Sequence, residues 1–185
     1  MLTKTFNEHQ IKRGFEVFRR VCSKCHSLTL FKPSDLRQLG YTNSQISIII
    51  GDRKLNEYYQ FPTDESLDST EYFNPPDLSL IAKQVSPVFV YKLLTGYKRK
   101  VTIQKSYFNK ATEFGSTLMP PPLTGEMIDY LFKVPSTVCQ CAKDVGTFLL
   151  WVSEPWRIER LRLFFPTFAL FATLLIPLIT IASSK

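Results

Sequence analysis

Five residues near the start of the chain, Cys22-Ser23-Lys24-Cys25-His26, restrict its fold more than any other feature. The spacing C-x-x-C-H is the attachment signature of c-type haem. At the end of a helix, two thiols three residues apart can each reach one vinyl edge of the macrocycle, and the next residue's imidazole then lies under the iron. A chain built this way has a large, rigid, apolar guest as part of its core. Three other readings of the motif compete with it. They are a thioredoxin-like C-x-x-C, a structural zinc site drawing Cys22, Cys25, Cys139 and Cys141 together, and a chance match. No strand-helix pattern surrounds the motif, which counts against the first.

The rest of the chain suits such a guest. Asn7 can cap a helix whose apolar positions Ile11, Phe15 and Phe18 share one face and which runs straight into Cys22. A second short helix is expected from Asn43, with Ile46, Ile49 and Ile50 on one side. A third follows Ser86, with Pro87 at its first position, Phe89, Val90, Leu93 and Leu94 apolar, and Gly96 as its stop. Thr124 can cap a turn or two through Leu131. Ser136 or Thr137 opens a longer amphipathic helix with Val138, Cys141, Val145, Phe148, Leu149 and Val152 inward, ended by Pro155. No run alternates cleanly enough for a strand. Residues 27–42, 53–85 and 98–123 are left irregular, and loops of that length are uncommon in a compact domain unless something else supplies the core they wrap.

A haem that carries electrons takes a soft sixth ligand, usually Met. Met1 is terminal, and Met127 sits in a helical pattern with Ile128 and Leu131, where it reads as a core side chain. Met119 precedes Pro120, Pro121 and Pro122, which stiffen the backbone and remove three donors, so it is the expected ligand. Cys139 and Cys141, two apart on a helix, point to different sides; no disulfide is expected between them, and both read as buried small apolar side chains on the helix before the anchor.

From Leu163 to Ala182, twenty residues carry no charge. At about 1.5 Å per residue they cover about 30 Å, the thickness of a bilayer's hydrocarbon core. The expected architecture is therefore mostly α: a c-type haem domain with long irregular loops over residues 1–155, and one C-terminal transmembrane anchor over 156–185. Pro166 and Pro177 bend that helix without forbidding it. No hydrophobic stretch lies near Met1, so a cleaved leader is not expected within this chain. Arg157, Arg160 and Arg162 precede the span and Lys185 follows it, which by the positive-inside bias puts the domain on the cytoplasmic or matrix side. Haem attachment through C-x-x-C-H requires the opposite side.

A net charge of +7 raises nucleic acid as a partner, but the charge is segregated. Residues 1–54 hold ten Lys/Arg against four acids, while 55–82 hold Glu57, Asp64, Glu65, Asp68, Glu71 and Asp77 with no Lys or Arg. That is not a uniform basic face, and no nucleic-acid partner is expected. A hydrophobic content of 44% with 21% charged residues also excludes disorder.

Longer stretches then line up in a single order. Arg13-Gly14-Phe15-Glu16-Val17-Phe18 leads into the C-x-x-C-H motif, followed by Pro75-Pro76-Asp77-Leu78-Ser79 and Leu93-Leu94-Thr95-Gly96-Tyr97. Tyr107-Phe108-Asn109 precedes Met119 with Pro121-Pro122; Ala142-Lys143-Asp144-Val145 leads through Thr147-Phe148-Leu149 and Trp151 to Glu154-Pro155, and Leu175-Ile176-Pro177-Leu178 follows. In this order the chain resembles cytochrome c1, the haem-bearing subunit of the cytochrome bc1 complex, over nearly its whole length. It departs from the family in being shorter between Cys25 and Pro75 and in being basic overall. It also carries Ile103 where the family has an arginine near a haem propionate, with Lys105 the nearest basic substitute.

The resemblance implies one covalent haem c held by Cys22 and Cys25, iron ligands His26 and Met119, and Pro76 and Tyr107 in the cofactor-binding set. It implies an electron carrier that receives electrons from the Rieske iron-sulfur protein and passes them to soluble cytochrome c. Cytochrome b, other bc1 subunits and the lipid bilayer are its further partners. No substrate bond changes at this subunit; quinol oxidation belongs to the whole quinol-cytochrome-c oxidoreductase. The implied location is the mitochondrial inner membrane with the haem domain in the intermembrane space, or a bacterial inner membrane with the domain in the periplasm. Two alternatives stay open: a membrane-anchored c-type cytochrome of another respiratory or photosynthetic complex, and a structural zinc-binding membrane subunit. The acids Asp64, Glu65, Asp68 and Glu71 are expected to help dock a basic cytochrome c.

Overall fold

The helix expected from Asn7 forms as α1, Glu8–Arg20, with the Asn7 side chain accepting from the amides of His9 and Gln10. Its inward face buries Ile11, Gly14, Phe15, Val17 and Phe18. The helix closes at Val21 and the chain tightens into a 3-10 turn over Cys22–Lys24. In the computed structural model, residues 7–51, 54–56, 75–98, 106–125, 128, 130, 134–154, 163–164 and 166–175 are described. They divide into a unit within Phe6–Ser153 and a second within Glu154–Lys185.

The long amphipathic helix also forms, as α5, Val138–Ser153, with Thr137 Oγ1 accepting from the Gln140 amide at 3.2 Å. Cys141, Val145, Phe148, Leu149 and Val152 are buried as the period requires. Helices α1 and α5 cross closely enough that a Cβ on Gly14 would collide with the Asp144 carbonyl oxygen and come within 2.6 Å of Phe148 Cβ. The crossing is fixed by a forked ion pair: Arg13 donates to the fully buried Asp144 at 2.8 and 3.2 Å, and Gln140 adds a third donor at 2.8 Å. Behind it, Phe15, Phe18, Phe31, Phe148 and Trp151 pack ring against ring.

The smaller helices flank this pair. Helix α2, Asn43–Ile50, begins in a capping box between Thr42 and Gln45 and buries Ile46, with Ile49 and Ile50 partly buried. Helix α3 is a single turn, Ile81–Gln84, and α4 runs Pro87–Thr95. Ser86 caps α4 by accepting from the Phe89 amide, and to do so holds φ at 69°, a conformation unusual for a residue with a side chain. Both α3 and α4 pack on α5.

Several expectations need correction. The stretches expected to be irregular contain structure: a seven-residue 3-10 helix at Pro33–Leu39, the turn α3, and a two-stranded antiparallel hairpin, β1 Tyr107–Phe108 and β2 Ser116–Thr117. Strands do exist, but two residues are too few to show an alternation. The turn expected from Thr124 is not helical at residues 124, 125, 128 or 130. Pro155, Met127, Ile103 and Lys105 lie outside the described residues, as do Asp64, Glu65, Asp68 and Glu71.

The second unit is described at residues 163–164 and 166–175, which are helical. Phe164 and Phe168 stack at 6.1 Å, and Leu163, Phe168, Leu170, Phe171 and Leu174 are exposed. Among the described residues no helix is long and apolar enough to cross a membrane, and Ile176–Ala182 of the expected span lies outside them.

Candidate functional site

The turn after α1 brings two thiols and an imidazole to one place. The amides of Cys25 and His26 both donate to the Cys22 carbonyl, at 3.0 and 2.8 Å, so the whole C-x-x-C-H motif is wound on a single acceptor. Cys22, Cys25 and His26 then face a cavity of about 440 Å³, which Pro76 and Met119 also line. Its walls are otherwise almost wholly apolar: Val21 from the end of α1, Ile81 from α3, Phe89, Val90, Leu93 and Leu94 from α4, and Val145 and Leu149 from α5.

His26 Nδ1 lies 2.8 Å from the Pro76 carbonyl oxygen. A carbonyl only accepts, so Nδ1 carries the proton and Nε2 keeps its lone pair. Burial holds the His26 pKa below its ordinary value, against the opposing pull of the Pro76 bond and the Asp77 charge. At neutral pH the ring is neutral, the form that binds a metal.

The Pro75–Ser79 segment is itself pinned to the chain after His26. Leu78 donates to the Ser27 carbonyl at 3.0 Å, Thr29 to Asp77 at 2.8 Å, and Leu30 to Ser79 Oγ at 3.0 Å. Burial raises the Asp77 pKa, but bonds from the side chain of Ser79 and from the amides of Thr29 and Ser79 outweigh it and leave the carboxyl below its usual range. The Pro76 carbonyl thus sits on a fixed strap.

Met119 follows β2. Its amide donates to Thr117 Oγ1 at 3.2 Å, and its carbonyl accepts from the Tyr97 hydroxyl at 3.0 Å. Tyr107, on β1 opposite Thr117, does not line the cavity. The structure therefore brings together Cys22, Cys25, His26, Pro76 and Met119, and leaves Tyr107 one strand away.

The competing chemistries fit these residues less well. Burial, with a smaller contribution from the Cys25 sulfur, pushes the Cys22 thiol up to about 12, whereas a redox-active C-x-x-C lowers its leading thiol. All four cysteines are free; Cys141 is buried beside the Tyr130 hydroxyl at 3.4 Å, but Cys139, expected to be buried, is exposed on the outer side of α5. Among the described residues, no three His, Cys, Asp or Glu side chains gather as a metal set. A haem, by contrast, suits what is present: an apolar space within the roughly 300–1,000 Å³ of cofactor sites, two thiols, an imidazole with Nε2 free, and a thioether.

The sequence marks Phe89, Val90, Leu93 and Leu94 only as apolar helix positions; that they line the cavity was not foreseen. Their spacing carried a signal: i, i+1, i+4 and i+5 make a broader stripe than contact with α5 alone needs. Tyr97 and the Pro76 carbonyl were missed as supports of Met119 and His26, and neither contact has a local signature.

The cytochrome C1 family model matches residues 1–185. Among curated proteins the chain is similar to "Cytochrome c1 1, heme protein, mitochondrial" of Arabidopsis thaliana, 31% identical over 86% of this chain and 60% of the relative. "Cytochrome c1, heme protein, mitochondrial" of Kluyveromyces lactis is 31% identical over 86% of this chain and 64% of its own length. The "Cytochrome b-c1 complex catalytic subunit, mitochondrial" of Candida albicans is 32% identical over 85% and 64%. The match thus spans less than two thirds of each of these relatives. With the family model covering every residue and the expected motifs gathered around one cavity, the chain belongs to the cytochrome c1 family.

Proposed function

We propose that this chain is a haem-bearing electron carrier of a cytochrome bc1 complex, with one haem c joined covalently to Cys22 and Cys25 and held between His26 and Met119. The observation that carries this reading is that these four side chains line a single apolar cavity. When bound, the haem supplies a one-electron iron couple. The chain's own residues do the rest. Cys22 and Cys25 tie the macrocycle to the end of α1, and the Pro76 carbonyl holds the His26 proton on Nδ1, leaving Nε2 for the iron. The apolar side chains of α3, α4 and α5 exclude water, which with a thioether ligand favours the ferrous state. Pro76, exposed at the edge of the cavity, and Tyr107 on the neighbouring strand complete the proposed cofactor set.

In this role the domain takes electrons from a Rieske iron-sulfur protein and passes them to soluble cytochrome c, beside cytochrome b in the mitochondrial inner membrane, with the haem domain in the intermembrane space. The exposed apolar side chains of Leu163, Phe164, Phe168, Leu170, Phe171, Leu174 and Leu175 support a membrane anchor continuing to Ala182.

Intact mass after acid-acetone washing tests the attachment, with one haem expected above the polypeptide mass. A mass equal to the bare chain ends the proposal. Truncation before Trp156 tests the anchor: a soluble protein with an unchanged spectrum is expected, and loss of haem on truncation assigns residues 156–185 to the haem fold.

A further inference from the structure

Met119 has no helix to hold it, yet its loop is tied at two successive backbone groups. Its amide donates to Thr117 Oγ1 at 3.2 Å, a local contact two residues away. Its carbonyl accepts from the Tyr97 hydroxyl at 3.0 Å, a contact reaching 22 residues along the chain. Tyr97 is itself braced. It forms an isolated antiparallel bridge with Asn109. Asn109 is fully buried, its side chain donating to the Leu93 carbonyl at 2.7 Å and accepting from the Ala111 amide at 2.9 Å. The approach leaves no room on the residue before Tyr97: a Cβ on Gly96 would come within 2.5 Å of Asn109 Oδ1 and 2.6 Å of the Lys92 carbonyl. Leu93, whose carbonyl Asn109 binds, and Leu94 both line the cavity. One rigid knot therefore joins the end of α4 to the loop that carries Met119.

We propose that Tyr97 is a positioning residue for the iron ligand: its hydroxyl latches the Met119 backbone to the α4–Asn109 knot and so sets how firmly the thioether stays on the iron. This rests on the reading of Met119 as a ligand. A latch of this kind stabilises the ligated arrangement over one in which the loop swings away, so its loss raises the population of the open site. One neutral hydrogen bond corresponds to about a 2- to 10-fold change in that equilibrium.

The test uses the haem-loaded full chain and imidazole as a competing ligand for the oxidised iron. Tyr97→Phe removes one oxygen and keeps the ring. Its imidazole affinity is expected to rise about 2- to 10-fold, with a weaker red-edge absorption band from methionine on ferric iron and an unchanged covalent haem content. In a Met119→Leu background the same substitution is expected to change imidazole affinity by less than about 2-fold, because the loop no longer competes; a double-mutant cycle isolates that coupling. Wild-type affinity and band intensity in Tyr97→Phe, including the case in which only the melting temperature moves, overturn the latch. An equal rise in both backgrounds overturns it too, since the hydroxyl then acts independently of Met119. If Met119→Leu itself leaves the band and the affinity at wild-type values, the ligand assignment falls instead, and the latch has no ligand to hold.

Discussion

Across the α1–α5 crossing, Phe15, Phe31, Phe148 and Trp151 close the space between backbones, with ring centroids 5.6–6.2 Å apart. On the same α5, Val145 and Leu149 border an open cavity of about 440 Å³. The residue types are alike on both sides, and the difference lies in what they meet. On one side the chain's own rings pack against one another. On the other, α3, α4 and the Met119 loop stand around a space that no side chain among the described residues fills. The first region is complete as polypeptide, and the second is shaped for a guest. Substitutions in the first are therefore expected to act on stability, and those in the second on redox and ligand behaviour.

Phe148→Ala should give the largest effect. Phe148 is fully buried and touches four other rings, so the variant is expected to lose about 3–5 kcal/mol of unfolding free energy in a guanidinium titration. The protein that remains folded should keep its haem spectrum. A changed spectrum at unchanged stability would mean the two regions are not separate.

Met119→Leu makes the opposite test on the cavity side. Volume-conserving swaps usually cost under about 1.5 kcal/mol, so stability should barely move. With Met119 in its proposed role, the midpoint potential should fall, or the iron should bind carbon monoxide, because the proposed soft ligand, which favours ferrous iron, would be gone. Met127→Leu is the control and should change neither. Reversed phenotypes would transfer the ligand role to Met127.

The same contrast explains what could be read from the sequence. Helices α1 and α5 were legible because a periodic apolar face that packs on its own neighbours repeats every 3.6 residues, and Asn7, Thr137 and Pro87 mark their ends or that of α4. The C-x-x-C-H motif and Met119 stood out by residue type and spacing, and both are found at the cavity. The cavity wall was not, since Leu93 facing a guest and Val152 facing the core look identical in a sequence. Nor were the supports: the His26–Pro76 bond spans 50 residues and the Tyr97–Met119 bond 22, beyond the reach of any local pattern. Helix α3 and the hairpin, at four and two residues, were too short for a period to register.

A smaller effect probes the strap that holds the cavity edge. Asp77 lies below its ordinary carboxyl pKa, so its contribution is fully present above about pH 4 and is lost as pH falls through the folded value. Discounted for its partial exposure, that contribution is about 1 kcal/mol. Asp77→Asn should lower stability by this amount at pH 7 and by progressively less in acid. A difference that stays constant down to pH 2 would show that shape at this position matters, and charge does not.

The smallest effect tests which side the partners meet. The acids Asp64, Glu65, Asp68 and Glu71 precede Pro75-Pro76, and Pro76 lines the cavity. A chain of net +7 that gathers six acids without a Lys or Arg over residues 55–82 has a local charge opposite to its total. In the proposed role, a basic cytochrome c meets this run of opposite charge despite the long-range repulsion, which raises the encounter rate more than the final affinity. Converting the four acids to Asn and Gln should slow electron transfer to cytochrome c at low ionic strength. The loss should fade near physiological salt, where the Debye length is about 8 Å. Stability and potential should not change, because neither the α1–α5 crossing nor the proposed iron ligands are substituted. If the rate rises on neutralisation, or does not depend on salt, these four acids are not part of the docking face, and the proposed functional half does not draw its partner through them.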